Sequence, residues 1–203
     1  MADDKIPSIL SDWFAARGWS VRRHQLEMLA AARAGRHALL TAPTGAGKTL
    51  AGFLPTLVEI VEQAAEKPVR AEPVEAPGLT QTALRQAQGE RNTLHTLYIS
   101  PLKALAVDVQ RNLLTPIEEM GLPITVETRS GDTPAGRKAR QRVKPPQILL
   151  TTPESLNLLL SQPESFTLFA GLRRVVIDEV HAFATGKRGD LLSLSLARLQ
   201  KIA

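Results

Sequence analysis

Short apolar runs alternate with amphipathic segments along most of this chain. The runs are rich in Leu, Ile and Val, and they predict buried strands at 37–41, 94–100, 124–128, 147–151 and 172–177. The segments between them repeat apolar residues with helical spacing. Strands that alternate with helices in this way are typical of an α/β fold with a parallel sheet covered on both faces. Ligands of such folds collect at the carboxyl ends of the strands.

Polar residues and prolines set the expected ends of the helices. Ser20 is the predicted N-cap of a helix over 21–34, which follows a first helix over 8–17. Thr115-Pro116 is typical of a helix start, so we expect one helix over 102–114 and a separate short helix after it. Further helices are predicted at 48–63 with a kink at Pro55, after Thr133-Pro134, after Thr152-Pro153, and at 190–200.

The periodic pattern fails over residues 64–92. This stretch begins with closely spaced prolines, continues with a polar part rich in Gln, and has little apolar periodicity. A loop of this length without secondary structure is uncommon inside a compact domain. We therefore expect a mobile, disordered surface insertion here.

Composition narrows the classes of function. The chain of 203 residues is long enough for one well-buried domain, and its 25 Lys+Arg against 20 Asp+Glu favour a polyanionic partner. It has no cysteine, which excludes disulfides, thiolate zinc sites and thiol nucleophiles. No apolar run approaches the roughly 20 residues of a membrane helix, and the N-terminus lacks a signal-peptide pattern. These features predict a soluble cytoplasmic protein without a membrane segment.

A glycine-rich phosphate loop follows the first apolar run, with the sequence Thr44-Gly45-Ala46-Gly47-Lys48-Thr49. Glycines let backbone N–H groups approach an anion, and the helix that follows points its own N–H groups at the same place. Lys48 is expected to meet the β- and γ-phosphates, and the Thr49 hydroxyl to bind Mg²⁺. Ala42 stands where the strict pattern has its first glycine.

An acidic pair follows the last apolar run, in the sequence Asp178-Glu179-Val180-His181. Asp178 is the candidate Mg²⁺ ligand, and Glu179 the candidate base for the attacking water. On its own, such a pair is more often solvated charge at the end of a strand. Together with the phosphate loop, it predicts a motor domain driven by nucleoside triphosphate.

The chain resembles the superfamily 2 helicases through several motifs in the family's order: 41–49, Ser100-Pro101-Leu102-Lys103-Ala104-Leu105, Thr151-Thr152-Pro153-Glu154-Ser155-Leu156 and 178–181. Ala42 is normal in that family. More narrowly, it is similar to the ligase-associated DEXH-box helicases, relatives of the large helicase-related proteins, at 13–19, Arg129-Ser130-Gly131-Asp132-Thr133-Pro134 and Lys187-Arg188-Gly189-Asp190. The resemblance covers the chain except residues 64–92.

The resemblance implies roles for individual residues. Gln25 matches the glutamine that reads adenine in the Q motif, which implies ATP as the nucleotide, whereas the residue alone would be an ordinary polar position on a helix. His181 would couple the nucleotide site to the nucleic-acid groove. A further group matches positions that line the track for one nucleic-acid strand: Pro101, Lys103, Arg129, Gly131, Thr152 and Pro153. For several of these, simple helix capping is the alternative.

Basic residues crowd the helix after Pro134: Arg137, Lys138, Arg140, Arg142 and Lys144. A solvated charged face is the common reason for such a run. Because the run follows a motif that resembles a backbone-contact loop, nucleic-acid contact is the alternative interpretation.

The resemblance implies a RecA-like P-loop domain over 1–203, with a helical Q-motif extension over 1–35. The implied function is ATP-dependent 3′-to-5′ translocation on single-stranded or 3′-tailed DNA, with unwinding, in DNA repair beside DNA ligase or nuclease partners. A Ser-Ala-Thr motif and the second RecA-like domain with its arginine finger are missing before Ala203. The chain is therefore expected to be an N-terminal portion or a truncated reading frame, with little turnover. The rivals are a nucleotide-dependent nucleic-acid-binding module without turnover and a transporter ATPase, whose Leu-Ser-Gly-Gly-Gln signature is not found.

Overall fold

The computed structural model describes residues 6–43, 45–66 and 93–203, with the side chains of Glu66, Lys103, Ala104, Leu105 and Arg111 outside the description. The chain divides into two compact units. Unit 1 holds the described residues up to 66 together with Arg111–Pro123, and unit 2 holds residues 93–110 and 124–203. The part of the predicted insertion at 67–92 lies outside the described residues.

Unit 1 is helical in its described part. It contains α1 (Ser8–Ala16), α2 (Arg23–Arg33), α3 (Lys48–Glu66) and the last part of α4 (Lys103–Glu119). Helix α2 begins later than predicted, because the Gln25 side chain accepts a hydrogen bond from the Arg22 N–H at 2.9 Å and takes over the capping expected of Ser20. Helix α3 continues past Pro55 and reaches Glu66, so the first residues of the predicted insertion are helical.

The predicted strand at 37–41 is wrong. These residues have no strand assignment, and the Leu39 side chain is 78% exposed. A strand needs a neighbour that satisfies its N–H and C=O groups, and the described part of unit 1 offers only helices and loops. The apolar pattern alone could not supply that partner.

The predicted helix start at Thr115-Pro116 is also wrong, because α4 runs unbroken from Lys103 to Glu119. Proline inside a helix removes one backbone hydrogen bond and costs about 3 kcal/mol. Leu113 and Ile117 flank Pro116 at helical spacing and are both buried. Burial of that face offsets the cost, so packing overrides the local signal.

Unit 2 contains a parallel sheet, as predicted. In the described residues, β1 (Thr96–Ile99), β2 (Val126–Arg129), β3 (Ile148–Thr151) and β4 (Arg174–Ile177) form one sheet in the order β2-β3-β1-β4. Tyr98 lies in register with Leu150 of β3 and Val176 of β4. The central strands β1 and β3 are fully buried, which agrees with their continuous apolar runs.

Helices flank this sheet and complete the core of unit 2. They are α5 (Ala135–Val143), α6 (Pro153–Leu160), α7 (Ser165–Phe169) and α8 (Lys187–Leu199), with a 3₁₀ helix at Val180–Phe183. One apolar cluster joins Leu97 and Leu149 of the sheet to Leu156, Phe169 and Leu192 of the helices. Helix α7 and the 3₁₀ helix were not predicted, and α8 begins before the predicted residue 190. No helix in the described ranges is long and apolar enough to cross a membrane.

Candidate functional site

The phosphate loop of unit 1 needs glycine at two positions. Gly45 and Gly47 have φ of 78° and 77°, a left-handed conformation that side chains other than glycine rarely adopt. A Cβ at Gly47 would also lie 3.1 Å from Nε2 of Gln25. Helix α3 begins directly afterwards at Lys48. Its first N–H groups have no partner within the helix, so they are available to an anion. Thr44 lies outside the described residues.

Lys48 bends back over the loop that precedes it. Its Nζ donates hydrogen bonds to the carbonyl oxygens of Ala42 at 2.8 Å and Pro43 at 3.2 Å. These carbonyls hold the ammonium group at the mouth of the loop. Thr49 is half-buried on the first turn of α3, and its hydroxyl has no hydrogen-bond partner within the described residues.

Gln25 is part of this loop's support. Its side chain is 3% exposed, its Oε1 accepts from the Arg22 N–H, and its Nε2 donates to the Gly47 carbonyl at 3.5 Å. Nη1 of Arg22 donates to the Gly45 carbonyl at 3.4 Å. The start of α2 is thus bonded to both glycines of the loop. Adenine recognition by Gln25 stays a prediction.

The acidic pair of unit 2 sits at the end of β4. The Asp178 N–H donates to the Ile99 carbonyl at 2.9 Å, which continues the β1–β4 ladder by one residue. Oδ1 of Asp178 accepts from the Glu179 N–H at 3.0 Å, and Oδ2 accepts from the Tyr98 hydroxyl. The plane of this carboxylate is therefore fixed from both sides.

Tyr98 was not predicted as a site residue. It is the single tyrosine of the chain and lies in the otherwise aliphatic run of β1. Burial raises the pKa of its phenol above the ordinary value, and the hydrogen bond to Asp178 raises it further. The phenol therefore stays protonated and remains a donor to the carboxylate.

Glu179 has an unusual backbone conformation. Its φ of 48° and ψ of 47° are left-handed, and it is the one non-glycine residue with positive φ in the described ranges. Strain at such a position is typical of functional sites, where neighbouring structure enforces it. The conformation turns the chain into the 3₁₀ helix, where the Ala182 N–H donates to the Glu179 carbonyl at 2.8 Å. Nδ1 of His181 lies 3.3 Å from Oε2 of Glu179.

The residues predicted for Mg²⁺ have suitable donor atoms. Thr49 offers a hydroxyl oxygen in unit 1, and Asp178 offers carboxylate oxygens in unit 2. Mg²⁺ prefers hard oxygen ligands, commonly one or two carboxylates with the substrate's phosphates completing the shell. In the described part of the chain, no group of three or more His, Cys, Asp or Glu is placed to hold a metal alone. Each of the two residues thus offers the kind of oxygen atom that Mg²⁺ prefers.

A cleft of about 310 Å³ opens beside the carboxyl ends of β2 and β3. Its lining includes Arg129, Ser130, Thr133, Arg137 and Thr152. Several N–H groups of the loop after β2 are satisfied internally, for example Ser130 N–H on the Thr133 hydroxyl at 2.9 Å. The Gly131 N–H has no acceptor within the described ranges. It remains available to an incoming anion.

Arg129 has a mainly structural position. It is 5% exposed, and its Nη1 donates to the Lys138 carbonyl at 2.9 Å and to Oε1 of Gln141 at 3.3 Å. Burial lowers the pKa of its guanidinium below the ordinary value, and nearby Arg142 adds to this effect. Arg129 therefore attaches α5 to β2 and forms the floor of the cleft.

Most of the other residues that are predicted to contact a nucleic-acid strand are buried. Thr152 is 4% exposed and caps α6, because its hydroxyl accepts from the Ser155 N–H at 3.5 Å. Pro101 and Pro153 are buried as well. Capping, the alternative considered from the sequence, therefore accounts for the Thr152 side chain. Lys103 begins α4, but its side chain lies outside the described residues.

The basic helix α5 uses several of its cations internally. Nζ of Lys138 donates to the Gly131 carbonyl at 2.8 Å, and Nη2 of Arg140 pairs with Glu127 at 2.7 Å. Nη1 of Arg142 donates to Oε1 of Gln162 at 3.1 Å. Arg137 lines the cleft, and its side chain makes no hydrogen bond or ion pair within the described ranges. Of the five cations of this run, Lys138, Arg140 and Arg142 attach α5 to its surroundings, Arg137 lines the cleft, and Lys144 is exposed after the end of the helix.

The chain is similar to known helicases in sequence and in fold. The family model of the DEAD/DEAH box helicases matches residues 22–203. The Lhr helicase/uracil glycosylase of Escherichia coli (strain K12) is 40% identical over 100% of this chain and 13% of its own length. The structure of Mycobacterium smegmatis helicase Lhr bound to ssDNA and AMP-PNP is 37% identical, with a TM-score of 0.75, and covers 99% of this chain and 24% of that one.

A second solved structure has the same TM-score at a lower sequence identity. The DUF1998 helicase MrfA, bound to DNA and AMPPNP, is 28% identical over 100% of this chain and 24% of that chain, with a TM-score of 0.75. This chain thus spans between about an eighth and a quarter of the length of these three relatives.

Proposed function

Because this chain belongs to the DEAD/DEAH box helicase family, we propose that it is the ATP-binding motor domain of a DNA helicase of the Lhr type. The observation that supports this most is the phosphate loop, where two left-handed glycines precede α3 and two loop carbonyls hold the Lys48 ammonium. Relatives that cover the whole of this chain carry helicase names. The activity of the whole protein is part of the proposal.

In the proposed mechanism, N–H groups at the start of α3 bind phosphate oxygens, and Lys48 exchanges its loop carbonyls for the β- and γ-phosphates. Glu179 orients the attacking water and accepts its proton. Asp178 and Thr49 would hold Mg²⁺, which when bound neutralises charge on the phosphates. Tyr98 and the Glu179 N–H orient the Asp178 carboxylate for that role. Gln25 would select ATP, as the resemblance implies.

One nucleic-acid strand is proposed to follow the loop after β2 and the cleft beside it. The Gly131 N–H and the Arg137 guanidinium can contact phosphates there without reading bases. The structures of the relatives Lhr and MrfA contain ssDNA or DNA, which supports DNA as the ligand. His181 would couple the nucleotide site to the residues that contact this nucleic-acid strand.

The finer parts of the proposal rest on the resemblance to the ligase-associated group. They are 3′-to-5′ translocation, unwinding of 3′-tailed DNA, a role in repair beside a DNA ligase or nuclease, and a cytoplasmic location. A polypeptide of residues 1–203 alone is proposed to bind ATP but to hydrolyse it slowly. In this superfamily the arginine finger comes from a second domain, and such a residue contributes about 10³ to 10⁵ in turnover.

The test is ATP binding and hydrolysis by residues 1–203 and by a longer polypeptide that adds a second domain, each with and without single-stranded DNA. The proposal expects both to bind Mg·ATP and only the longer one to show DNA-stimulated hydrolysis. Single-stranded RNA of the same length is the matched control for the nucleic acid. Binding without hydrolysis in the longer polypeptide would instead favour a nucleotide-dependent binding module.

A further inference from the structure

Arg188, at the start of α8, joins two loops that follow different strands. Its Nε donates to Oε1 of Glu154 at 2.7 Å, and its Nη2 donates to Oε2 of the same carboxylate at 3.3 Å. The same Nη2 donates to the carbonyl oxygen of Pro101 at 2.7 Å. One guanidinium thus binds a carboxylate with two nitrogens and a backbone carbonyl as well. Its fork geometry allows this and a lysine ammonium does not.

The partners of Arg188 stand at the carboxyl ends of neighbouring strands. Ser100 and then Pro101 follow the end of β1. Glu154 lies on the first turn of α6, after β3. Strands β1 and β3 are parallel and adjacent, so these loops emerge at the same edge of the sheet. The proposed function places the nucleic-acid strand at this edge. Arg188 sets the position of the Pro101 carbonyl relative to the start of α6.

The backbone around Arg188 is held in turn by close packing. Gly186 has φ of 111°, and the Gly189 N–H donates to its carbonyl at 3.0 Å. A Cβ at Gly189 would lie 2.0 Å from the carbonyl oxygen of Phe183, the last residue of the 3₁₀ helix. The first turn of α8 therefore lies against the segment that begins at the acidic pair. This explains Gly189 of the motif at 187–190 and Gly186 directly before the motif.

The charge state of Glu154 suits this contact. Partial burial alone would raise the pKa of its carboxyl, but the hydrogen bonds from Arg188 and from the helix start outweigh burial and lower the pKa below its ordinary value. Glu154 is therefore ionised at neutral pH and remains a partner for the guanidinium.

We propose that Arg188 is a positioning residue for nucleic-acid binding, which holds the Pro101 loop and the start of α6 in the arrangement that accepts a strand backbone. This rests on the proposed function. Its Nε and Nη2 donors are engaged with Glu154 and Pro101, so we assign Arg188 the role of holding these two segments and no phosphate contact. A salt series tests whether the remaining nitrogen, Nη1, contacts a phosphate.

The experiment measures binding of fluorescent oligothymidylate to the whole chain at several salt concentrations. Arg188→Ala and Arg188→Lys are expected to weaken binding about tenfold without changing the slope of log affinity against log salt. Loss of a direct phosphate contact would reduce that slope by about one. Glu154→Gln should weaken binding to a similar degree. The double variant should lose little more affinity, since both substitutions break the same contact between Arg188 and Glu154.

Arg33→Ala is the matched control. It removes a surface ion pair with Glu62 of similar length, 2.6 Å, in unit 1, and should leave DNA affinity unchanged. Unchanged Mg·ATP affinity and circular dichroism would show that the variants are folded. If Arg188→Ala does not fold, the isosteric Glu154→Gln decides the question.

The failures of the two proposals are distinguishable. Absence of DNA binding by the unaltered chain would contradict the proposed function. Normal DNA binding by both Arg188→Ala and Glu154→Gln would overturn the positioning role alone. A reduced salt slope would also overturn it, because Arg188 would then be a phosphate contact.

Discussion

The Tyr98 hydroxyl donates a hydrogen bond to Oδ2 of Asp178, and the two residues are joined across neighbouring parallel strands. Partners of this kind orient a metal ligand, and their removal typically costs 10- to 100-fold in metal affinity. Tyr98→Phe is therefore expected to raise the Mg²⁺ concentration needed for half-maximal ATP binding about tenfold. Nucleotide affinity without Mg²⁺ is the internal control and should not change. The same Mg²⁺ dependence in both proteins would refute the orienting role.

Removal of the phosphate-loop cation should abolish nucleotide binding. Lys48 is half-buried and makes its hydrogen bonds to loop carbonyls, so Lys48→Ala removes a charge and leaves the core intact. We expect Mg·ATP affinity to fall more than tenfold, measured by calorimetric titration, with unchanged circular dichroism. Lys201→Ala, at an exposed position after α8, is the control. Equal ATP affinity in the Lys48 variant would contradict the assigned role.

Substitutions at Glu179 should separate chemistry from backbone conformation. Glu179→Gln keeps the shape of the side chain and loses the base, so ATP binding should persist while hydrolysis falls by about 10² or more. Glu179→Gly should lose hydrolysis too, yet keep or raise the melting temperature, because glycine adopts φ of 48° without strain. Single-turnover hydrolysis and thermal melting measure the two effects. Normal turnover in Glu179→Gln would show that another group activates the water.

Much of unit 2 could be predicted from the apolar runs, because a strand that is buried on both faces needs a continuous run of apolar residues. Strands β1 and β3 lie inside their predicted ranges for this reason. The prediction at 37–41 failed because a strand also depends on a partner that the run itself does not specify. The break predicted at Pro116 failed because burial of Leu113 and Ile117 is a tertiary effect.

The phosphate loop and the acidic pair were recognisable because their chemistry needs a fixed local order of residues. Tyr98 and the partners of Arg188 were not, since these contacts join residues 80 and 87 positions apart. No spacing rule relates such partners. The division of cations on α5 was hidden as well, because it depends on neighbours in β2 and after α6.

Two glycines of unit 2 should respond in opposite ways to alanine. Gly189→Ala places a Cβ 2.0 Å from the Phe183 carbonyl oxygen and should destabilise the domain by about 3 kcal/mol or more. Gly136→Ala is the matched control, since it lies on α5 with no atom near its added Cβ, and should stabilise by roughly 0.5–1 kcal/mol. Denaturant unfolding measures both. Equal stability of Gly189→Ala and the parent would contradict the close contact.

Two arginines of α5 should differ in their effect on DNA. Arg137→Ala removes the cation that lines the cleft, so affinity for single-stranded DNA should fall and the salt slope should decrease by about one. Arg140→Ala removes a cation paired with Glu127 and should change the slope little. Fluorescence anisotropy across a salt series measures both. Equal slopes in Arg137→Ala and the parent would favour the alternative interpretation, in which α5 is a solvated charged face.

With Lys48 as the proposed phosphate contact, its bonds to Ala42 and Pro43 make nucleotide binding an exchange reaction. An incoming phosphate replaces partners that the ammonium already has, so only the difference between the two sets contributes to affinity. The same bonds act in the opposite direction when product leaves, because the departing phosphate does not strand an unpaired cation. In this proposal the resting loop limits how tightly a diphosphate is retained, which favours product release over long occupancy.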